Sequence, residues 1–320
     1  MKARTIKKVL REKVDEWIST IDNERVRKLV EKNVIVTGGC IASMLLREKV
    51  NDYDIYFRTG DAALEVAKYY VERFTIEKKS GIPCKIWVEK VSDRVKIMIK
   101  SAGVASEEGT DKPYQYFEGR PEGEAGEFIG EVMGNQERTI TDPGDIEDTY
   151  EETEKKALET VDEGKPKYRP VFMSTNAITL SNKVQIVLRF FGEPDEIHTY
   201  YDFVHCTNYW TSWDSELVLR KEALEALLTK ELLYVGSKYP ICSIFRLRKF
   251  LKRDFTINAG QILKMCMQIS ELNLNDIPTL QDQLTGVDCA YFIEVIGKLK
   301  EKDPEKVNRA YLIEIIDRMF

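Results

Sequence analysis

Apolar residues recur along this chain in two rhythms, and the switches between them outline its architecture. Over residues 1–33, Val9, Leu10, Val14, Trp17, Ile18, Ile21 and Val26 fall at helical spacing with Lys, Arg and Glu between them, which predicts one or two amphipathic helices. Val34-Ile35-Val36 is a β-branched run and reads as a buried strand. A helix over 40–47, a strand over 52–57 and a helix over 62–73 follow, then strands at 86–88 and 95–99. Strands resume at 171–173 and 177–180, and the turn Ser181-Asn182-Lys183 predicts a hairpin into 184–190. A short helix over 196–200 leads into the apolar run 201–207, read as a strand. From 215 onward the pattern is mostly helical, with helices expected over 217–234, 241–252, 257–271, 289–299 and 304–319. Alternating helix and strand early, then helices alone, predict an α+β protein: an α/β core with a mixed sheet and an α-helical C-terminal region.

Composition divides this pattern further. The segment 103–170 holds 19 Asp/Glu against 8 Lys/Arg and few aliphatics, so it reads as an acidic, loop-rich insertion with one helical piece near 149–161. The expected organisation is therefore 1–102 (N-terminal helices and the first part of the core), 103–170 (insertion), 171–214 (remaining core strands) and 215–320 (helical domain). The net charge of −6 over 320 residues conceals a body that is mildly basic outside the insertion, compatible with nucleotide or nucleic-acid binding. No run approaches the ~18 apolar residues of a membrane span, and no secretory stretch opens the chain. Six scattered cysteines without a C-x-x-C spacing point to reduced thiols and a cytoplasmic location. Two histidines, His198 and His205, are too few for a finger-type zinc site.

The chemistry concentrates where the first strand ends. Gly38-Gly39 permits a sharp turn into the next helix, and a phosphate can approach backbone N–H groups there because no Cβ blocks it. On the strand expected over 52–57, Asp52 and Asp54 project to one side, about 6–7 Å apart along the backbone. Two carboxylates on one face repel unless a cation or proton lies between them, and a divalent metal carrying a triphosphate satisfies both. Ser43, expected in the first turn of the helix, is placed either to meet a terminal phosphate or to satisfy a backbone N–H. Arg246, Lys249 and Arg253 fall at i, i+3 and i+7, one face of a helix, suited to triphosphate or RNA backbone; a solvated face is the plainer reading.

A hydrophobic strand, Gly-Gly, a helix and Asp-x-Asp on the next strand together resemble the signature of the polymerase-beta-like nucleotidyltransferase superfamily. Gly38-Gly39-Cys40-Ile41, Leu45-Leu46 and Asp52-x-Asp54 look most like the head of tRNA nucleotidyltransferases and bacterial poly(A) polymerases. Ala42-Ser43 stands where those enzymes usually carry Arg-Asp, a departure from the tRNA-tailing pattern. Arg253-Asp254-Phe255-Thr256-Ile257-Asn258-Ala259 is similar to a second motif of the same enzymes, and Arg246–Phe250 to their later basic helix, although one stretch cannot serve as both. The segment around Asp202 also resembles phage-encoded relatives.

The resemblance implies a nucleotidyltransferase head that moves a nucleoside monophosphate from a triphosphate to a hydroxyl, an RNA 3′ end by preference, with pyrophosphate released. Mg2+ or Mn2+ would be held by Asp52 and Asp54, with Asp202 the candidate third carboxylate from another strand; a cap or turn is its plainer role. Gly38, Gly39, Ser43, Arg246, Lys249 and Arg253 would hold the nucleotide. The competing expectation is a silent module of the same shape that binds RNA or protein.

Overall fold

The computed structural model describes residues 1–77, 84–91, 94–101, 167–173 and 176–274, with single positions at 276, 279 and 283. The insertion between 102 and 166 and the helices expected over 289–299 and 304–319 lie outside the described residues.

Helix α1 (Ala3–Ser19) buries Ile6, Leu10, Val14, Trp17 and Ile18 along one stripe. Helix α2 (Glu24–Glu31) opens on Asn23, whose side chain accepts the N–H groups of Arg25 and Val26. Strand β1 (Val34–Thr37) is wholly buried. Helix α3 (Gly39–Leu46), strand β2 (Tyr53–Phe57) and helix α4 (Gly60–Glu77) follow. Among the described residues, strands β3 (Cys84–Val91) and β4 (Arg94–Ser101) pair only with each other. Strands β5 (Pro170–Met173), β6 (Ala177–Leu180) and β7 (Val184–Phe191) come next. Asn182 and Lys183, both at positive φ, make the β6–β7 turn. Helix α5 (Pro194–His198), a one-turn 3-10 helix (Val204–Cys206), and strands β8 (Tyr209–Thr211) and β9 (Leu217–Val218) complete this part. Helices α6 (Lys221–Thr229), α7 (Pro240–Leu251) and α8 (Ala259–Ser270) end the described chain.

Among the described residues, seven strands form one mixed sheet in the order β5-β6-β7-β2-β1-β8-β9. β2 runs parallel to β7 and antiparallel to β1, and the remaining pairs are antiparallel. Because strand residues alternate faces, the two sides of the sheet do different work. Val34, Val36, Ile55, Phe57, Ile186 and Leu188 face α1, α2 and α4 in the main core. Ile35 and Tyr56 point the other way, with Ile197 of α5 and Tyr201 against them. Burial of each large core side chain contributes about 1.5–3 kcal/mol, so the helical layer on the first face holds the sheet rigid. The second face carries Thr37 and Asp54, paired across β1 and β2.

Helix α3 lies between two cores. Cys40, Ile41 and Met44 pack into the main one, while Ala42 belongs to a C-terminal cluster with Phe203, Leu227, Leu232, Tyr234, Phe250, Phe255 and Met265. Apolar residues all round this helix are the consequence. The C-terminal helices thus reach the glycine turn through α3.

Three expectations are corrected. The run 201–207 is not a strand: Asp202 lies in a bend, and 204–206 wind into the 3-10 helix. Phe203 drives this, since its ring must enter the cluster with Tyr234 and Phe250, at 5.8 and 5.6 Å between centroids. Leu217 and Val218 are an edge strand rather than the start of a helix, and they extend the sheet past residue 214. Helix α7 stops at Leu251, so Arg253 sits in the turn beyond it and shares no helix face with Arg246 and Lys249.

Candidate functional site

The turn between β1 and α3 organises the site. Gly38 has φ 88° and ψ −151° and caps α3 without any side chain. A Cβ at this position would stand 2.7 Å from Asp54 Oδ2 and 3.6 Å from Tyr201 Oη. The carboxylate of Asp54 therefore occupies space that any other residue at 38 would fill, at the N-terminal end of a helix where anions are favoured. Nothing lies within 4 Å of the corresponding point on Gly39. The corner is pinned from behind: Gly38 N–H donates to the Cys206 carbonyl at 3.2 Å.

Asp54 is on β2, while Asp52 lies one residue before the strand begins, a correction to the expected boundary. The charges of both carboxylates are felt at one neighbour, Cys40. Burial pushes the Cys40 thiol well above its ordinary value, and the charges of Asp54 and Asp52 push it further in the same direction. The Asp54 carboxylate stands at the glycine-lined N-terminus of α3, with Asp52 two residues before it in the chain; magnesium is commonly held by one or two carboxylates plus phosphates and water. Among the described residues, no three His, Cys, Asp or Glu side chains gather to form a metal site by themselves. Across the parallel pairing, Asp54 sits beside Gln185 of β7, an amide rather than a third acid.

Asp202 is 7% exposed and accepts a hydrogen bond from Arg246 Nη1 at 2.9 Å. Its other oxygen accepts the N–H of Phe203 at 3.1 Å. Ser43 lies past the first turn of α3, buried, where Arg253 Nη2 donates to its hydroxyl at 3.3 Å, and it does not cap the helix. Arg253 also pairs with Glu48, which Lys230 approaches to 3.6 Å. The basic residues thus divide: Arg246 is tied to the bend at Asp202 and Arg253 to the far end of α3. Lys249 lies partly exposed on α7.

Sequence reading did not single out Thr37, Tyr56 or Tyr201, which lie near Asp54 on the second sheet face, or His198, which contacts Thr37 and Tyr201. Thr37 Oγ1 donates to the Asn208 carbonyl at 2.9 Å and lies 2.8 Å from His198 Nε2. A hydroxyl has one proton, so His198 donates from Nε2. Burial, then the charge of Arg220, lowers the His198 pKa to about 3. Tyr56 and Tyr201 share a hydrogen bond, and burial raises both phenols, with the neighbouring carboxylate of Asp54 adding to the effect. Only Thr37 carried a local signal, as the last strand residue before the glycines; the others arrive from distant segments. His205, expected in the sheet, is buried beside Phe250 and Phe255 with ring centroids 4.3 and 4.9 Å away.

A model of the Gabija anti-defense 2 family matches residues 8–230, which takes in the whole seven-stranded sheet and the glycine–aspartate corner. The chain belongs to that family. The match stops short of Arg246, Lys249 and Arg253. The Gabija anti-defense 2 protein of Bacillus phage SPbetaL7 is 23% identical over 185 residues, covering 56% of this chain. The chain spans 45% of the length of that relative. Among solved structures, the Thermotoga maritima CCA-adding enzyme complexed with tRNA is similar at a TM-score of 0.38 and 14% identity, over 90% of this chain and 56% of the enzyme. No described helix is long and apolar enough to cross a membrane.

Proposed function

We propose that the chain acts against the Gabija defence as a metal-dependent nucleotidyltransferase, transferring a nucleoside monophosphate from a triphosphate to a hydroxyl with release of pyrophosphate. The first half of this reading rests on the family. The second rests on one observation: the Asp54 carboxylate takes the place of a side chain at Gly38, at the mouth of helix α3. Asp52 and Asp54 are the residues that would hold Mg2+ or Mn2+, which supplies charge neutralisation of the phosphates and activation of the acceptor hydroxyl. The backbone of Gly38 and Gly39 would receive phosphate oxygens, with the open side of Gly39 giving them room. An RNA 3′ end is the acceptor that the sequence resemblance favours, and the cytoplasm the compartment in which both would meet.

A second reading is a module of the same shape that binds RNA or protein without turnover, consistent with the finding that no three ligating side chains gather among the described residues. One experiment separates them. The protein is incubated with Mg2+ or Mn2+ and each labelled triphosphate, with and without bulk RNA. Incorporation or pyrophosphate release that disappears in an Asp52→Asn plus Asp54→Asn variant supports the enzyme. Binding of RNA that the same variant loses, with no turnover in either protein, supports the module and overturns the enzyme.

A further inference from the structure

Helix α8 is held to the protein by its polar side. Gln261 Oε1 accepts the Tyr234 N–H at 2.9 Å, while Gln268 accepts the Ser237 N–H at 3.2 Å and donates to the Ser237 carbonyl at 2.7 Å. Met265, between them, enters the cluster that holds Phe203 and Phe250. Residues 261, 265 and 268 share one face at helical spacing, so their contacts fix the direction in which the opposite face points. That face carries Leu263 and Met267, 60% and 62% exposed, with Ile262 beside them. The usual amphipathic arrangement is inverted: amides grip the protein, and hydrocarbon meets water. Among the described residues, every exposed large apolar side chain except Met1 lies at position 228 or beyond. Such a concentration marks an interaction surface, unlike apolar residues scattered singly.

Charge identifies the occupant. Lys264 and Glu271 lie seven residues apart, two helical turns or about 10 Å, and both are exposed on one flank of the Leu263–Met267 stripe. Lys264 reaches the Gln261 amide at 3.5 Å, and neither it nor Glu271 forms an ion pair among the described residues. Glu271 is the C-cap of α8, at the helix end where an anion is disfavoured, and the last turn holds no basic residue. A second α8 laid antiparallel along the stripe answers both features. It sets Lys264 of one copy against Glu271 of the other, and the two-fold axis repeats the pair. That axis falls midway between the two positions, at the level of Met267, so the most exposed apolar side chain of the helix meets its own copy.

We propose that the outer face of α8 is an isologous interface joining two copies of this chain, with Leu263 and Met267 at its centre and the Lys264–Glu271 pairs at its rim. The inference is independent of the nucleotidyltransferase reading, because none of these residues belongs to the glycine–aspartate corner.

Analytical ultracentrifugation of the full chain over a range of concentrations tests it, and wild type is expected to dimerise reversibly. Met267→Glu places two carboxylates at the axis and should weaken the dimer roughly thirtyfold or more, the scale of a central interface residue. Its side chain is exposed in the single chain, so circular dichroism should show an intact fold. Lys264→Glu and Glu271→Lys each turn two attractions into repulsions and should weaken the dimer roughly three- to tenfold at low salt. The double variant, Lys264→Glu plus Glu271→Lys, should recover wild-type affinity. An equimolar mixture of the two single variants should form a heterodimer, since each supplies the charge the other lacks. A wild-type chain that stays monomeric throughout overturns the proposal and leaves the face to a different protein. A dimer that Met267→Glu leaves intact overturns it too, as do charge variants that ignore the swap.

Discussion

Asp54 and Gly38 share one space: the carboxylate oxygen Oδ2 lies 2.7 Å from the point a β-carbon on residue 38 would occupy. The backbone at Gly38, with φ 88° and ψ −151°, is also a conformation that L side chains scarcely adopt. Gly38→Ala is therefore expected to cost about 1–3 kcal/mol and to dislodge Asp54 as well. Gly39→Ala meets nothing within 4 Å and no unusual φ. It should leave the melting temperature within a degree or two of wild type, since a change without strain or clash stays within about 0.5 kcal/mol. Nucleotide binding is the second readout. If phosphate docks on the open side of residue 39, Gly39→Ala weakens binding while stability holds; equal loss of stability in both variants would contradict this account.

The parts of this corner that were legible in the sequence are local ones. Val34-Ile35-Val36 followed by Gly38-Gly39 is a strand that must turn sharply, and Asp54 two residues after Asp52 is a carboxylate pair on any extended segment. What joins them is not local. The pairing of Thr37 with Asp54, the parallel run of β2 against β7, and the approach of Tyr201 all connect residues far apart in the chain. The segment 201–207 shows why pattern alone fails there. Its large apolar residues suit a strand, but Phe203 serves a separate aromatic cluster, and satisfying that ring bends the backbone at Asp202. Arg253 misled for a related reason, since spacing along a helix means nothing past the residue where the helix stops.

A polar contact inside an apolar core ties helix α1 to α4. Trp17 is fully buried, and its indole N–H donates to Tyr70 Oη at 2.8 Å. Trp17→Ala is expected to destabilise by about 3–5 kcal/mol through the cavity it leaves. Tyr70→Phe leaves the indole donor unsatisfied, at a cost of about 1–3 kcal/mol. In a Trp17→Phe background that second cost should vanish, because no donor is left to strand. Urea unfolding of the four proteins checks this; a Tyr70→Phe penalty that is the same in both backgrounds would show the hydrogen bond to be immaterial.

Thiol reactivity offers a probe of the site that needs no substrate. Of the cysteines whose side chains are described, Cys266 is exposed, whereas burial raises the Cys40 and Cys206 thiols, the latter to about 12. The thiolate is the reactive form, so Cys266 should be alkylated first and Cys40 and Cys206 far more slowly. Asp54 and Asp52 add to the suppression at Cys40. An Asp52→Asn plus Asp54→Asn variant should therefore alkylate faster at Cys40 and no faster at Cys266, as followed by peptide mass spectrometry. Equal acceleration at both would signal loosening of the fold instead.

Acid should loosen the protein through its two histidines. Both are held neutral: His198 has its pKa lowered to about 3 by burial and then by Arg220, and His205 to about 4, again by burial first. In the unfolded chain each binds a proton near pH 6.5, while the folded protein resists it, so the unfolded state carries more protons below that pH. Stability is accordingly full above pH 6.5 and falls as the pH drops toward 4 for His205 and toward 3 for His198. The shift at His205 corresponds to about 3 kcal/mol as an upper figure. His205 sits among Phe203, Phe250 and Phe255, with the charges of Asp202 and Arg253 nearby acting in opposite senses, so the rings rather than an ion pair set its preference. His205→Phe should then flatten the melting profile between pH 6.5 and 4 without lowering the melting temperature at pH 8. His198→Gln keeps an amide donor toward Thr37 and should flatten the lower part of the same profile. A His205→Phe protein whose acid sensitivity matches wild type would place the titrating groups elsewhere, among carboxylates such as Glu16 and Glu48, whose folded pKa values are lowered and whose stabilising effect also fades in acid. Those act nearer the carboxylate range, so the onset of the slope, at pH 6.5 or below 5, tells the two causes apart.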